Sequence, residues 1–352
     1  MAIRIIHVGV GIRGRHWLEI VAGHPDFVSA GCVDPDQRTL DEARALPGQH
    51  HGHFFHTIEE ALSRVETDAV LVASPSFLHA RHALQSLDAG LGVLVEKPLG
   101  LTLAEAVSVV ERARDVSKPV MVAENFRFFP AERTVRALLD KGVAGRIASA
   151  ICVDRRDQPS ESLPGWVTGM EHPFLTEIAV HHFDSFRYYF GRVPVSVFAR
   201  AYNPPGSSYQ GCAAAEALIE FGAQFPVQYV GTMGSTRYEY ELSVEGDLGD
   251  IRTDRKRVWW RPRGRRFFSR MNLVPVPKGD ERPYPHGGTM GLLNQFRDAL
   301  LHDRTPETSA ADNLWTLAMV DASIASHREG RAVSVEAVFT SDLKQRAGIA
   351  TS

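Results

Sequence analysis

A doubly wound α/β domain followed by an α+β domain is what this sequence predicts, and three observations predict it. The chain has 352 residues, 44% of them hydrophobic, more than one core ordinarily supports. From residue 3 to about 123, short β-branched runs alternate with helical patterns, the mark of βαβ units around a parallel sheet. Beyond Val193, alternating strands follow one another directly across glycine and Asn-Pro-Pro turns, as in an antiparallel sheet. The expected division is therefore 1–123 and 124–352, with the closing helical patterns at 290–330 free to pack back on the first domain.

In the first domain the expected strands are Ile3–Val8, Val28–Val33, Ala69–Ala73, Gly92–Val95 and Val120–Ala123. Between them Arg15–Ala22, Gln37–Leu46, Ile58–Ser63, Phe77–Asp88 and Leu103–Val116 carry apolar residues at helical spacing. After Phe129-Pro130 a helix is expected near Ala131–Leu139, a strand near Ile147–Val153, and then a loop rich in proline and glycine. A helix at about Leu175–Phe190 leads into the run of strands from Val193 to Trp260, and helices at Met290–Leu301 and Ala311–Glu329 close the chain.

Composition excludes several classes of function. The formal net charge of −3 creates no global field for nucleic acid or an anionic membrane. Cys32, Cys152 and Cys212 are far apart and outside any CxxC spacing, so neither a disulfide framework nor a zinc site is indicated. A first strand begins within two residues of Met1, without a leader pattern or an apolar spanning run, so a cytoplasmic location is expected. Two stretches invite other readings. The histidines of 50–56 lack carboxylate or cysteine partners, and adjacent histidines rarely share one ion, so no metal is expected. Arg252 to Arg270 interleaves arginines with Trp259, Trp260, Phe267 and Phe268, a pattern of arginine-protected edge strands or an oligomer contact before one of nucleic acid.

Gly9-Val10-Gly11-Ile12-Arg13-Gly14 follows an apolar strand and opens a helix, the context in which GxGxxG cradles a dinucleotide pyrophosphate in a Rossmann domain. Asp34 closes the second strand twenty residues after Gly14. A carboxylate there accepts from both ribose hydroxyls and repels a 2′-phosphate, which favours NAD over NADP, although Arg38 leaves room for dual use.

Three further segments carry chemistry. Glu96-Lys97-Pro98 follows the strand at 92–95, at the carboxyl edge where an open α/β sheet places its ligand. On a regular helix, Glu177, His181 and Asp184 fall on one face while His182 points elsewhere. Ser74-Pro75-Ser76-Phe77-Leu78-His79 turns from a strand into a helix. Together with Glu124-Asn125-Phe126-Arg127-Phe128 and the closing Asp312-Asn313-Leu314-Trp315, this ordered set resembles the Gfo/Idh/MocA (glucose-fructose oxidoreductase / inositol dehydrogenase) family over nearly the whole chain.

The resemblance implies NAD-dependent hydride transfer between nicotinamide and a secondary alcohol or ketone of a sugar, inositol, glycoside or sugar acid. It places the substrate against the open face of a large, mostly antiparallel second-domain sheet, and it implies a homodimer or homotetramer. Its cofactor contacts carry over to Gly9, Gly11, Ile12, Arg13, Gly14, Asp34, Arg38, Ser74, Pro75, His79, Glu96, Lys97 and Asn125. Its catalytic residues carry over to Lys97, His181 and Glu177, with His181 exchanging the hydroxyl proton and Lys97 stabilising the alkoxide. Substrate contacts fall on Lys97, Arg127, Arg155, Trp166, Glu177, His181 and Asp184; a brace at the domain junction is an equal reading for Arg127, and a surface loop with one buried aromatic is an equal reading for Arg155 and Trp166.

One departure stands out: the first acidic position of the helix is ordinarily Asp in this family, and here it is Glu177. That keeps open a non-catalytic NAD and sugar sensor, while the resemblance itself also admits a redox-neutral NAD-dependent glycosidase working through transient C3 oxidation. Which sugar and which carbon react is not written in spacing.

Overall fold

The computed structural model describes residues 2–49, 52–222 and 225–350. In chain order the first elements are β1 (Ile3–Val8), α1 (Ile12–Ala22), β2 (Phe27–Val33), α2 (Gln37–Arg44), β3 (Phe54–Phe55), α3 (Ile58–Arg64), β4 (Ala69–Val72), α4 (His79–Asp88), β5 (Gly92–Val95), α5 (Leu103–Asp115) and β6 (Val120–Val122). Then follow α6 (Pro130–Asp140), β7 (Ile147–Asp157), α7 (Gly165–Thr168), α8 (Val180–Phe190), β8 (Ser196–Tyr202), β9 (Ala214–Glu220), β10 (Pro226–Thr232), β11 (Gly234–Gly246), β12 (Gly249–Thr253), β13 (Val258–Pro262) and β14 (Ser269–Arg270). The chain closes with α9 (Thr289–His302), α10 (Ala310–Glu329), β15 (Val333–Ser334) and α11 (Ser341–Ala347).

Two compact units emerge, one of residues 1–125, 277–314 and 341–352, the other of 126–276 and 315–340. The expected block 124–352 is thus divided, because its later segments find partners in the first unit. Asp280 accepts from the backbone N–H groups of Met290 and Gly291 at 2.7 and 2.8 Å, opening α9. The Val122 N–H donates to the Thr308 carbonyl at 2.8 Å, and Arg346 of α11 reaches Glu111 of α5 at 2.9 Å.

The first unit is a six-stranded parallel sheet in the order β3-β2-β1-β4-β5-β6. Chain direction away from the centre reverses between β1 and β4, the switch point at which such sheets bind ligands outside their carboxyl ends. β1, β4 and β5 are almost wholly buried, as strands covered by helices on both faces must be. Helix starts are written locally: Asp36 caps α2, Thr57 caps α3, and Thr102 with Glu105 forms a capping box on α5.

The second unit is built on a nine-stranded sheet, β14-β13-β12-β11-β7-β10-β9-β8-β15, antiparallel except where β10 runs parallel to β7. Its inner face carries Val197, Ile219, Val227 and Tyr229, and the Tyr229 ring meets Phe183 and Phe186 of α8 edge-on at 5.6 and 5.9 Å. The basic stretch lies at one sheet edge as β13 and β14, with Arg257 paired to Asp254, Arg261 to Asp250, and Arg252 and Arg261 over the Phe268 ring. The helix expected over Leu175–Phe190 is not uniform: Phe174–Ala179 is a π-helical turn, and α-helix begins only at Val180.

Candidate functional site

Glycine chemistry shapes the cradle between β1 and α1. Gly9 has φ of 85°, and a Cβ there would stand 2.5 Å from the Ser74 Cα. A Cβ on Gly14 would stand 2.0 Å from the Gly9 carbonyl oxygen. Gly11 differs, because a Cβ there would meet no protein atom within 4 Å. Gly9 and Gly14 are thus explained by packing, whereas Gly11 leaves backbone open at a helix start, as close approach of a pyrophosphate demands. Ile12, the first helical residue, is exposed beside it.

Asp34 stands at the end of β2. Its Oδ2 accepts from the Val10 N–H at 3.0 Å and its Oδ1 from the Asp36 N–H at 3.1 Å, which fixes the carboxylate against the glycine loop. Each oxygen retains a lone pair, the capacity two ribose hydroxyls require. Arg38, the second residue of α2, is a largely exposed side chain paired with Glu42 at 3.1 Å. These residues fit the adenosine half of NAD.

Other residues expected at the cofactor have side chains engaged within the protein. Arg13 donates to Glu96 at 2.5 Å and to the Pro285 carbonyl at 3.0 Å, lying over the rings of Trp17 and Tyr284. Asn125 donates to the Gly287 carbonyl at 2.8 Å. The His79 ring lies between the carbonyls of Ser74 and Pro98 at 2.8 and 2.7 Å, and Ser74 Oγ meets His82 Nδ1 at 2.9 Å. Pro75 precedes the short turn Ser76–Leu78. His79 thus joins the loops after β4 and β5, which frame the end of the sheet.

Glu96 ties the end of β5 to α1. It accepts from Arg13 Nε and from Trp17 Nε1 at 2.7 Å. Burial alone would push its carboxyl up, but the charges of Arg13 and Lys97, with hydrogen bonds from Trp17 and Arg13, outweigh it and hold the group below the usual carboxylate range. The next side chain, Lys97, is half-buried between buried neighbours, just beyond the carboxyl end of β5.

In the second unit the π-helical turn carries Glu177, which is buried, and α8 carries His181, half-buried in an otherwise buried run. The His181 ring stacks on Phe126 with centroids 4.3 Å apart and planes 19° apart. His182 points into the core, where Nδ1 meets the Tyr229 hydroxyl at 2.7 Å. Burial, with the nearby charges of Arg255 and Arg156, holds its imidazole well below the ordinary range. Asp184, expected at substrate, and Arg127, read equally as a substrate contact and as a brace, hold each other in a buried two-pronged pair at 2.6 and 2.5 Å, and Thr316 also donates to Asp184. An unpaired charge at either position would be costly in this interior, which is why each is committed to the other. Arg155 pairs with Glu239 at 2.5 Å, and Trp166 is half-buried in α7.

Sequence reasoning gave no role to Phe126, Trp17, Tyr240 or Arg255, whose positions depend on contacts distant in the chain. His50 and His51 lie outside the described residues, and among the described residues no group of three or more His, Cys, Asp or Glu side chains is arranged to hold a metal. No helix among them is long and apolar enough to cross a membrane.

The comparisons with known proteins agree with this architecture. The description "Oxidoreductase family, NAD-binding Rossmann fold" matches residues 3–124, and "Oxidoreductase family, C-terminal alpha/beta domain" matches 136–335. An uncharacterised protein of Sinorhizobium fredii is 28% identical, with 96% of each chain covered. The D-apiose dehydrogenase of Paraburkholderia graminis is also 28% identical, over 94% of this chain and 89% of its own. An Agrobacterium radiobacter oxidoreductase, crystallised with NAD+, L-tartaric acid and magnesium, superposes with a TM-score of 0.86 at 19% identity, covering 96% of this chain and all of that one. At that identity the likeness speaks for the fold alone. With both halves of the chain matched and the glycine cradle and Asp34 in place, this chain belongs to the Gfo/Idh/MocA oxidoreductases and carries their NAD-binding Rossmann domain.

Proposed function

We propose that the protein is an NAD-dependent dehydrogenase or reductase for a secondary alcohol or ketone of a sugar, inositol, glycoside or sugar acid. The observation that carries this reading is the Glu96–Lys97 corner. Glu96 is clamped by Arg13 and Trp17 of α1, the helix that opens on the glycine cradle, so the following ammonium is held beside the carboxyl ends of the strands. A cation fixed there stabilises the oxygen that gains charge as a carbinol is oxidised. NAD, when bound, supplies the hydride acceptor.

In this reading His181 takes the hydroxyl proton in oxidation and returns it in reduction, for which a partly open imidazole is suited. Glu177 orients the reacting hydroxyl from the π-helical turn, whose wider ring resets the direction of the longer side chain. The half-buried Trp166 offers a face for the C–H surface of a sugar ring. Arg127 and Asp184 act as an internal brace of the second unit, and Arg155, neutralised by Glu239, contributes position rather than charge.

The test is NADH absorbance with NAD and a panel of hexoses, inositols, glycosides and sugar acids, for wild type and Lys97→Ala in parallel. Turnover by wild type, reduced about a thousandfold or more in the variant at saturating NAD, supports the reading. Glycoside cleavage without net NADH would transfer the assignment to the redox-neutral glycosidase. Binding of NADH and sugar without turnover would transfer it to the sensor.

A further inference from the structure

Arg255, one of the arginines of the basic stretch, turns inward within the second unit, its side chain 15% exposed. It occupies the turn between β12 and β13 with φ of 68°, the left-handed region in which a β-carbon is unfavourable. Its Nε donates to Glu132 Oε1 of α6 at 2.9 Å, and Glu132 is completely buried. The guanidinium lies over two rings, 4.1 Å from the centroid of Phe126 and 3.7 Å from that of Tyr240. Phe126 stacks in turn on His181, and Tyr240 stacks on His182 at 5.7 Å with planes 24° apart. His181, Phe126, Arg255 and Tyr240 are therefore joined face to face in sequence, and His182 lies beside them, 6.0 Å from Phe126 as well as 5.7 Å from Tyr240.

A buried ion pair on a strained backbone is an expensive way to fill space, since well-packed apolar residues of similar volume commonly stabilise as well or better. What a guanidinium adds is a flat cation that attracts an aromatic face on each side and holds both planes against itself. One of those planes is the platform of His181. We propose that Arg255 is a positioning residue for His181, acting through the Phe126 ring that it clamps. The proposal rests on the reading of His181 as the proton carrier. With Phe126 fixed on one side by Arg255, the imidazole is confined to a plane nearly parallel to that ring, and its nitrogens are presented in one direction. Misplacement of a proton-transfer group by about an ångström is enough to cost about a hundredfold in rate.

The test reads His181 without needing its substrate. The histidine Cε1–H resonances of isotope-labelled protein are recorded for wild type, Arg255→Lys, the charge-neutral pair Arg255→Met with Glu132→Gln, and Phe126→Leu, with His181→Asn identifying the signal. In wild type the His181 proton is expected upfield of a free imidazole because of the Phe126 ring current. Arg255→Lys, which keeps a cation between the rings, is expected to retain most of that shift, and the neutral pair to lose most of it. Phe126→Leu leaves the Arg255–Glu132 pair intact and must abolish the shift, which keeps the test decisive if the neutral pair does not fold. An unshifted His181 proton in wild type, a shift surviving Phe126→Leu, or equal shifts in wild type and the neutral pair would each overturn the proposal. Turnover of His181→Asn on the carbohydrate panel tests the proton-carrier reading separately, because the ring-current signature does not depend on it.

Discussion

At the scale of single residues, chemistry is legible in sequence where the requirement is local and hidden where it is met across the chain. Asp34 belongs to the first kind: strand, glycine turn and acid are read within 34 residues, and the carboxylate is held against the loop by two backbone N–H groups. Asp34→Ala is expected to weaken NADH binding about tenfold and to narrow the preference over NADPH, as fluorescence titration with both cofactors would read; equal affinities before and after would remove Asp34 from the ribose site. Arg127 and Asp184 belong to the second kind. Sequence spacing places each on a plausible face but says nothing of their meeting, and in the structure they satisfy one another. Arg127→Met leaves a buried carboxylate without its principal partner, so a loss of about 3–5 kcal/mol in unfolding free energy is expected from denaturant titration. A loss below about 1 kcal/mol would mean that the pair is not a brace.

At the scale of elements, the alternation of β-branched runs and helical patterns was sufficient for the parallel sheet because its central strands β1, β4 and β5 are almost wholly buried and α2, α3 and α5 are capped from their own sequence. The π-helical turn at Phe174–Ala179 escaped because an added residue in a helical ring leaves apolar periodicity nearly unchanged over so short a stretch. Arg255 escaped because its charge matches that of the exposed arginines around it. Burial of a titratable group within an element has a measurable consequence at β1. Burial holds the His7 imidazole down to about 3, while the unfolded chain protonates near the ordinary value. Between those values the unfolded state binds a proton that the folded state refuses, so this contribution is fully present above about pH 6.5 and is lost as pH falls toward 3. Wild type is expected to lose about 2 kcal/mol more than His7→Gln between pH 7 and pH 5 in denaturant titrations. Parallel pH profiles would show that His7 is protonated in the fold.

At the scale of the whole molecule, the nine-stranded sheet has one face packed and one open, and the open face bears a cross-strand row in which the apolar Phe198, Leu218 and Ile151 are interrupted by Gln228. Cross-strand register sets Phe198 against Leu218, Leu218 against Gln228, Gln228 against Ile151, and Ile151 against Ser243, so the row spans β8, β9, β10, β7 and β11. Phe198, Leu218 and Ile151 are 48%, 39% and 41% exposed, although outward positions on a solvated antiparallel sheet are ordinarily polar. Arg200 and Glu216 face each other on neighbouring strands beside the row, and the Tyr202 hydroxyl donates to Glu216, so the apolar centre has a polar border of the kind that rims protein interfaces. A second copy of the chain meeting this face through a twofold axis would pair the row with itself, as closed homo-oligomers do. Sedimentation velocity is therefore expected to give a dimer or tetramer for wild type. Phe198→Asp with Leu218→Asp should shift it to the monomer, because four carboxylates would meet across the axis in a surface that excludes water. Both side chains point away from the core, so the unfolding midpoint of the dissociated chain should reflect the loss of association alone. A monomeric wild type, or an unchanged assembly in the double variant, would leave the apolar row as a substrate surface within one chain and exclude it as the contact between copies.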